Sequence, residues 1–214
     1  AVLLHGNGHQ VVIWSAIPEE IKELKETHAH RNLPEVKIPV AIGFTDDLKE
    51  AMEDKDLLVL AVPSVFVRDT ARRMKAYIRP GQVITNVAKG IEEHTLMTLS
   101  QIIEQELPEA EVTVLSGPSH AEEVSRGLPT TCVAGSRKKR IAEAVQSAFM
   151  SPVFRVYTSP DVLGIEVGAA LKNVVALAAG AADGLGYGDN TKAALITRGM
   201  AEISRLGIAM GGKI

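Results

Sequence analysis

Short apolar runs alternate with longer amphipathic ones through the first three quarters of the chain. His9–Trp14 (HQVVIW) predicts a short strand, and Pro18–Thr27 (PEEIKELKET) a helix with proline in its first turn and acids leading. Val40–Phe44 predicts a short strand and Asp46–Asp54 a short helix. Asp56–Val62 (DLLVLAV) is apolar nearly throughout and too short for a typical helix, which predicts a buried parallel strand. The alternation continues with a helix over Ser64–Tyr77, a strand over Gln82–Ala88, a helix over His94–Glu106 and a strand over Val112–Leu115. A helix over Ser119–Arg126, a strand over Thr130–Ala134, a helix over Arg137–Met150 and a last strand over Val153–Tyr157 complete it.

Strand, helix and strand repeated in this way imply right-handed crossovers and a mostly parallel sheet, so the fold class is α/β. The pattern stops at the turn-rich Thr158-Ser159-Pro160-Asp161, and from there to Met210 only helices are predicted. Two units follow: an α/β unit over residues 1–160 and the start of an all-helical unit over residues 161–214. Ala1–His9 reads as the last turn of a helix, its glycine-rich cap and the entry to a strand. Such a helix should follow an earlier strand and a glycine-rich turn, and Gly211-Gly212-Lys213-Ile214 follows a single helical pair, so the chain is expected to be a fragment. Between Gly164 and Ala182 only Glu166, Lys172 and Asn173 are polar. That length suits a membrane span, but a charged residue costs about 2.5–3.5 kcal/mol near a bilayer centre, so a helix buried in a soluble protein is expected instead. The glycine-rich Ala182–Asn190 is expected to be a connector, with Asn190 capping the next helix.

Composition narrows the function classes. The chain has 23 Lys+Arg against 26 Asp+Glu, a net charge of −3, which excludes a strongly basic nucleic-acid surface. The run Arg137–Arg140 is therefore a solvated helix start. Aromatic residues make up only 4%, so the core must be Val, Ile, Leu and Ala. One cysteine, Cys132, rules out a disulfide framework and a cysteine-based zinc site, and it is expected to be a buried small hydrophobe. The six histidines show no metal spacing beyond a weak His28-x-His30, so no metal is predicted. No secretory signal pattern opens the chain, which places it in a reducing cytoplasm.

In an open parallel sheet, ligands bind beyond the carboxyl ends of the strands. Three such ends carry unusual residues. In Ala61-Val62-Pro63-Ser64, Pro63 sets a turn and Ser64 is placed to cap a helix or to lie along a dinucleotide. In Asn86-Val87-Ala88-Lys89-Gly90 a lysine directly follows a strand, and a phosphate ligand would want that cation. In Ser116-Gly117-Pro118-Ser119-His120-Ala121-Glu122, Ser119 stands three residues before Glu122 in a capping-box spacing, which would also bare N–H groups for an anion. A fourth candidate, Lys172 in GAALKNVVA, lies on a helix with no polar face. Burying its ammonium should lower its pKa and fit it for proton transfer. Asn173 is adjacent, and Glu166 lies on nearly the same face as Asn173, at about 340° of rotation. Gly164, Gly168 and Gly180 would let neighbouring backbone or a ligand come close.

Taken together, GHQVVIW, LAVPS, NVAKGIE, LSGPSHAEEV and the run from Phe154 to Gly207 resemble the bacterial NAD(P)-dependent glycerol-3-phosphate dehydrogenases, in order and over essentially the whole chain. The resemblance implies a Rossmann-like dinucleotide-binding domain followed by a helical substrate domain. It implies an oxidoreductase that interconverts dihydroxyacetone phosphate and sn-glycerol 3-phosphate with NAD or NADP, supplying a phospholipid precursor. Lys172 matches the lysine that handles the hydroxyl or carbonyl proton; Lys89, Gly117, Ser119 and Asn173 match substrate-binding positions. Pro63, Lys89 and Ala121 match cofactor-contacting positions, and Ala16 falls where the ribose is met.

Departures from the family pattern carry their own expectations. The family's G-x-G-x-x-G turn would precede Ala1, and the aspartate and Ser/Arg-Asn group that complete its site would follow Ile214, so this chain by itself is expected to be inactive. Ser15-Ala16-Ile17 supplies neither an acid for a ribose 2′-hydroxyl nor an arginine for a 2′-phosphate, leaving both cofactors open. The alternatives are another hydroxyacid dehydrogenase of the same layout, acting on a carboxylate, and a non-catalytic phosphate-binding module. The Gly/Ala-rich helices and the family resemblance suggest a homodimer, with a phosphorylated small molecule as the other partner.

Overall fold

The computed structural model describes residues 1–213. Helix α1 (Val2–Gly6) leads into β1 (Val12–Trp14), α2 (Pro18–Thr27), β2 (Gly43–Thr45) and α3 (Leu48–Met52). Next come β3 (Leu57–Leu60), α4 (Val67–Met74), β4 (Val83–Asn86), α5 (Leu99–Glu106), β5 (Glu111–Ser116) and α6 (Ala121–Ser125). After β6 (Thr130–Gly135), α7 (Lys139–Phe149) and β7 (Phe154–Ser159), two long helices close the chain: α8 (Val162–Gly184) and α9 (Gly188–Ala209).

Local chemistry explains where these elements begin and end. Pro18 starts α2 with Glu19 and Glu20 in its first turn, and His28 stops it in the left-handed region at φ 49°. The expected helix from His94 begins only at Leu99. His94 and Leu96 sit at φ 69° and 57°, which no helix accepts, and a reciprocal capping box between Thr98 and Gln101 starts α5 instead. The expected helix from Ser64 opens as a 3-10 turn over Ser64–Phe66 before α4. The expected box at Ser119 and Glu122 does not form: α6 starts at Ala121, and the Ser119 hydroxyl donates to the Gly117 carbonyl at 3.3 Å. With only five residues, α6 offers little dipole for an anion.

The main sheet runs β3-β4-β5-β6-β7. All neighbours are parallel except β5 and β6. A separate parallel pair joins β1 to β2. One face of the main sheet buries Leu58, Leu60 and Ile84 against Val67, Ala71, Ile102 and Ile103 of α4 and α5. The other buries Leu115, Cys132, Ala134 and Val156 against Val145 and Phe149 of α7. This is the expected Rossmann-like α/β architecture followed by helices.

Helix α8 departs from expectation. Its first turns are anchored: the Asp161 carboxylate caps Gly164 N–H at 3.0 Å, and Val167 is fully buried. From Asn173 onward the helix is mostly exposed, with Val174 at 63% and Leu177 at 77%. It packs antiparallel on α9, where a Cβ at Gly199 would come within 2.7 Å of Val175. Gly168 and Gly180 have no neighbour within 4 Å, so the close helix approach is at Gly199. A helix apolar on every side was expected to be buried on every side, but among the described residues only the sheet end, the first turn of α5 and α9 cover this one. By length and composition α8 could cross a membrane, though it carries Glu166, Lys172 and Asp183. It also runs on through Gly184, so the connector shrinks to Leu185–Tyr187, and Asn190 lies inside α9 rather than capping it.

Candidate functional site

Strands β3, β4 and β5 are parallel, with Leu60, Asn86 and Val114 in register, so the three unusual loops emerge along one edge. The loop after β4 is shaped by Asn86, whose side chain is 1% exposed. Its Oδ1 accepts from Ala88 N–H at 3.2 Å and its Nδ2 donates to the Ala88 carbonyl at 3.1 Å. This asparagine turn presents the next residue, Lys89. Gly90 follows at φ 151°, and a Cβ there would lie 2.8 Å from Ser64 Cβ, so glycine permits the loops after β3 and β4 to touch.

Beneath this edge, β5 ends against β6. A Cβ at Gly117 would meet the Thr131 carbonyl oxygen at 2.5 Å and Cys132 Cα and Sγ at 3.0 Å. Cys132 is buried as expected, but it also lies under the loop. Burial pushes its thiol pKa up, against a hydrogen bond with Ser119 and the charge of Lys89. Lys89 is half-buried, and its pKa is lowered first by that burial and then by the ammonium of Lys172. Lys89 thus feels the charge of Lys172, and Cys132 that of Lys89, although the three come from different elements or loops. The Ser116 hydroxyl, one residue before Gly117, is buried and has no hydrogen-bond partner.

The expectation of a sealed-off Lys172 needs correction. The side chain is half-buried, because α8 is open beyond it, and Asn173 is exposed. Pro63 stands ahead of the 3-10 turn, Ala121 opens α6 and is exposed, and Ala16 is exposed at the carboxyl end of β1 in the smaller sheet. Beside Ala16, the Ser15 hydroxyl donates to the Glu20 carboxylate.

A polar clamp that the sequence does not reveal holds the Lys89 loop in place. Arg68 of α4 bonds both oxygens of Glu92, at 2.6 and 2.7 Å, and reaches Glu106 at 2.5 Å. The partners lie 24 and 38 residues away, so no local spacing announces them. The Arg68 hydrogen bond, aided by Thr95, holds the Glu92 carboxyl down at about 2, from an ordinary 4.5. A depressed carboxyl stabilises the fold above its ordinary pKa and loses that contribution as pH falls from 4.5 toward 2. Arg68→Leu is expected to flatten the acid-unfolding curve across that window when followed by circular dichroism. An unchanged slope would show that the clamp adds nothing.

Comparison with known proteins completes the description. The family model described as the NAD-dependent glycerol-3-phosphate dehydrogenase N-terminus matches residues 1–142, and the model for the C-terminus matches residues 161–214. A glycerol-3-phosphate dehydrogenase [NAD(P)+] of Agathobacter rectalis is 62% identical over all of this chain and 64% of its own length. One from Fusobacterium nucleatum is 57% identical over all of this chain and 64% of its own length. The chain thus spans about two thirds of the relatives it matches. The crystal structure of a glycerol-3-phosphate dehydrogenase from Coxiella burnetii superposes with a TM-score of 0.92 at 32% identity, covering 99% of this chain and 65% of that one. A ketopantoate reductase from Ralstonia eutropha shares the fold at a TM-score of 0.67 and 19% identity, covering 99% of this chain and 70% of that one.

Proposed function

The chain belongs to the NAD-dependent glycerol-3-phosphate dehydrogenase family, and from that premise we propose that it forms the larger part of an oxidoreductase. The enzyme interconverts dihydroxyacetone phosphate and sn-glycerol 3-phosphate using NAD or NADP. Residues 1–160 form the dinucleotide-binding unit and residues 161–214 begin the substrate unit. The observation that carries this reading is the pair of lysines. Lys172 lies within electrostatic reach of Lys89, and no carboxylate is among the groups acting on Lys89. Two ammonium groups within electrostatic reach of each other suit a doubly charged phosphate ester.

In the reducing direction NAD(P)H, met by Pro63, Lys89 and Ala121, would supply the hydride. The Lys172 ammonium donates a proton to the carbonyl oxygen, so the carbonyl becomes an alcohol and the lysine is left neutral, to be reprotonated from solvent. Lys89 attracts the substrate phosphate, and Gly117, Ser119 and Asn173 line the substrate beside it. Pro63, Lys89 and Ala121 stand where the nicotinamide end would lie, and Ala16 where the ribose would. The residues present fit that end. Gly90 and Gly117 close the loops so tightly that no Cβ fits, and the unpartnered Ser116 hydroxyl offers a hydrogen bond. No Gly-x-Gly-x-x-Gly turn occurs within these 214 residues to hold the pyrophosphate. The absence of an acid after β1 supports use of either cofactor. The exposed apolar residues of α8 support pairing into a homodimer, and the reaction would supply phospholipid synthesis.

The test is NADH oxidation followed at 340 nm with dihydroxyacetone phosphate. A chain extended to the full length of its relatives is expected to turn over, and these 214 residues alone to show little or no rate. Faster turnover of small 2-keto acids by the extended chain would assign it to another hydroxyacid dehydrogenase type. Phosphate-ester binding without turnover would make it a binding module.

A further inference from the structure

Glu166 is 6% exposed on α8, yet it does not point toward the lysines. It reaches across to the first turn of α5. Its Oε1 accepts from the Ser100 N–H at 2.8 Å, and its Oε2 from the Ser100 hydroxyl at 2.5 Å. The Thr98 hydroxyl lies beside them, 3.3 Å from the Ser100 hydroxyl. The first turn of a helix has N–H groups with no partner inside the helix. In α5 the Thr98 side chain takes the N–H of Gln101, the Gln101 side chain takes the N–H of Thr98, and Glu166 takes the N–H between them, on Ser100. Burial pushes the Glu166 carboxyl up, and the hydrogen bonds from Ser100 only pull against that. The other charge acting on it is the carboxylate of Glu104, so no cation compensates its burial. An apolar side chain would fill this space without that desolvation. What an apolar side chain could not do is tie α8 to a fixed point on the α/β unit.

Lys172 lies six residues further along α8, about 9 Å up the helix axis. From Asn173 onward the helix is mostly exposed away from α9, so its rotation is set in the anchored turns before Lys172, where Glu166 and Val167 are buried. We propose that Glu166 is a positioning residue: by gripping the first turn of α5 it sets the rotation and depth of α8 and thereby holds Lys172 opposite Lys89. The functional meaning of that placement rests on the two-lysine reading above; the latch itself does not.

The test reads Lys89 directly, without activity. The Nζ resonances of selectively labelled lysine are titrated by NMR in this chain, with Lys89 assigned by its own substitution. Lys172→Met is expected to raise the Lys89 pKa toward that of an ordinary lysine, because a facing charge is gone. Glu166→Ala is expected to raise it too, because α8 is free to turn Lys172 away. Glu166→Gln keeps an oxygen for the Ser100 N–H and is expected to leave the titration at its wild-type position. Glu166→Asp, one methylene short, is expected to fall between. A contact that only stabilises the fold would lower the melting temperature of Glu166→Ala and leave Lys89 unmoved; that result, or a shifted Glu166→Gln, overturns the proposal. Should the alanine variant fail to fold, an aspartate variant with a wild-type titration overturns it equally. An unmoved Lys89 in Lys172→Met would sink the two-lysine reading and with it the proposal that Glu166 holds Lys172 opposite Lys89, whereas a Lys89 moved by Lys172→Met but not by Glu166→Ala overturns the positioning role alone.

Discussion

Lys172→Met in the extended enzyme is expected to lower kcat by about two to four orders of magnitude, the usual range for losing a positioned proton donor. The argument is one of supply. Hydride addition leaves negative charge on the substrate oxygen, and that charge must meet a proton as it forms. Lys172 is a donor beside Lys89, half-buried rather than sealed, so it can recover its proton from water. Methionine keeps a similar length and volume without the ammonium. Because Lys172 is open on one side, the substitution leaves no buried partner unsatisfied, and circular dichroism should show an unchanged fold. Lys89→Met is expected to act differently, through a raised KM, since its role is to attract phosphate. If Lys172→Met kept a kcat within a few-fold of the parent, another group would have to deliver the proton, and the assignment of Lys172 would fail.

How much of this was readable in the chain depends on whether the controlling contacts are local. The buried strand β3 is written plainly as DLLVLAV, because a strand covered on both faces must be apolar at successive positions. Lys89 at a strand tip was legible for the same reason: the strand before it was. Capping was legible only in part. Thr98-x-x-Gln101 and Ser119-x-x-Glu122 have the same spacing, yet only the first forms a box. The second is pre-empted by the turn at Gly117 and Pro118, where the serine hydroxyl bonds to the Gly117 carbonyl instead. The burial of α8 was misread because an all-round apolar pattern records what a helix could bury, not what covers it. The Arg68 clamp and the Glu166 latch span 24 to 66 residues of sequence, and no periodicity carries such pairings. Cys132 read correctly as a buried hydrophobe, but its place under Lys89 and Ser119 follows from the antiparallel β5–β6 pairing, which the strand pattern did not distinguish from parallel.

Gly117→Ala is expected to be the most damaging single-atom addition in the site. The new Cβ would lie 2.5 Å from the Thr131 carbonyl oxygen and 3.0 Å from Cys132 Cα, both backbone, so no side chain can rotate out of the way. The β6 strand cannot yield either, since it is paired to β7 at six successive positions from Thr130 to Gly135. The end of β5 must therefore lift, carrying Ser119 away from Cys132. Overpacking of this kind costs about 1–3 kcal/mol, which for a chain of this size lowers the melting temperature by about 2–4 °C per kcal/mol. Gly168→Ala makes the comparison fair. It adds the same methyl in the interior of α8, where nothing lies within 4 Å, so it is expected to raise stability by about 0.5–1 kcal/mol through helix propensity. Thermal melts of the two variants should shift in opposite directions. In the extended enzyme Gly117→Ala should also raise KM for the phosphorylated substrate, because the loop bearing Ser119 has moved. A Gly117→Ala variant that melts with the parent would mean that the β5–β6 junction has more room than its geometry gives it, and that Gly117 is not what brings the Ser119 loop down onto the lysine pair.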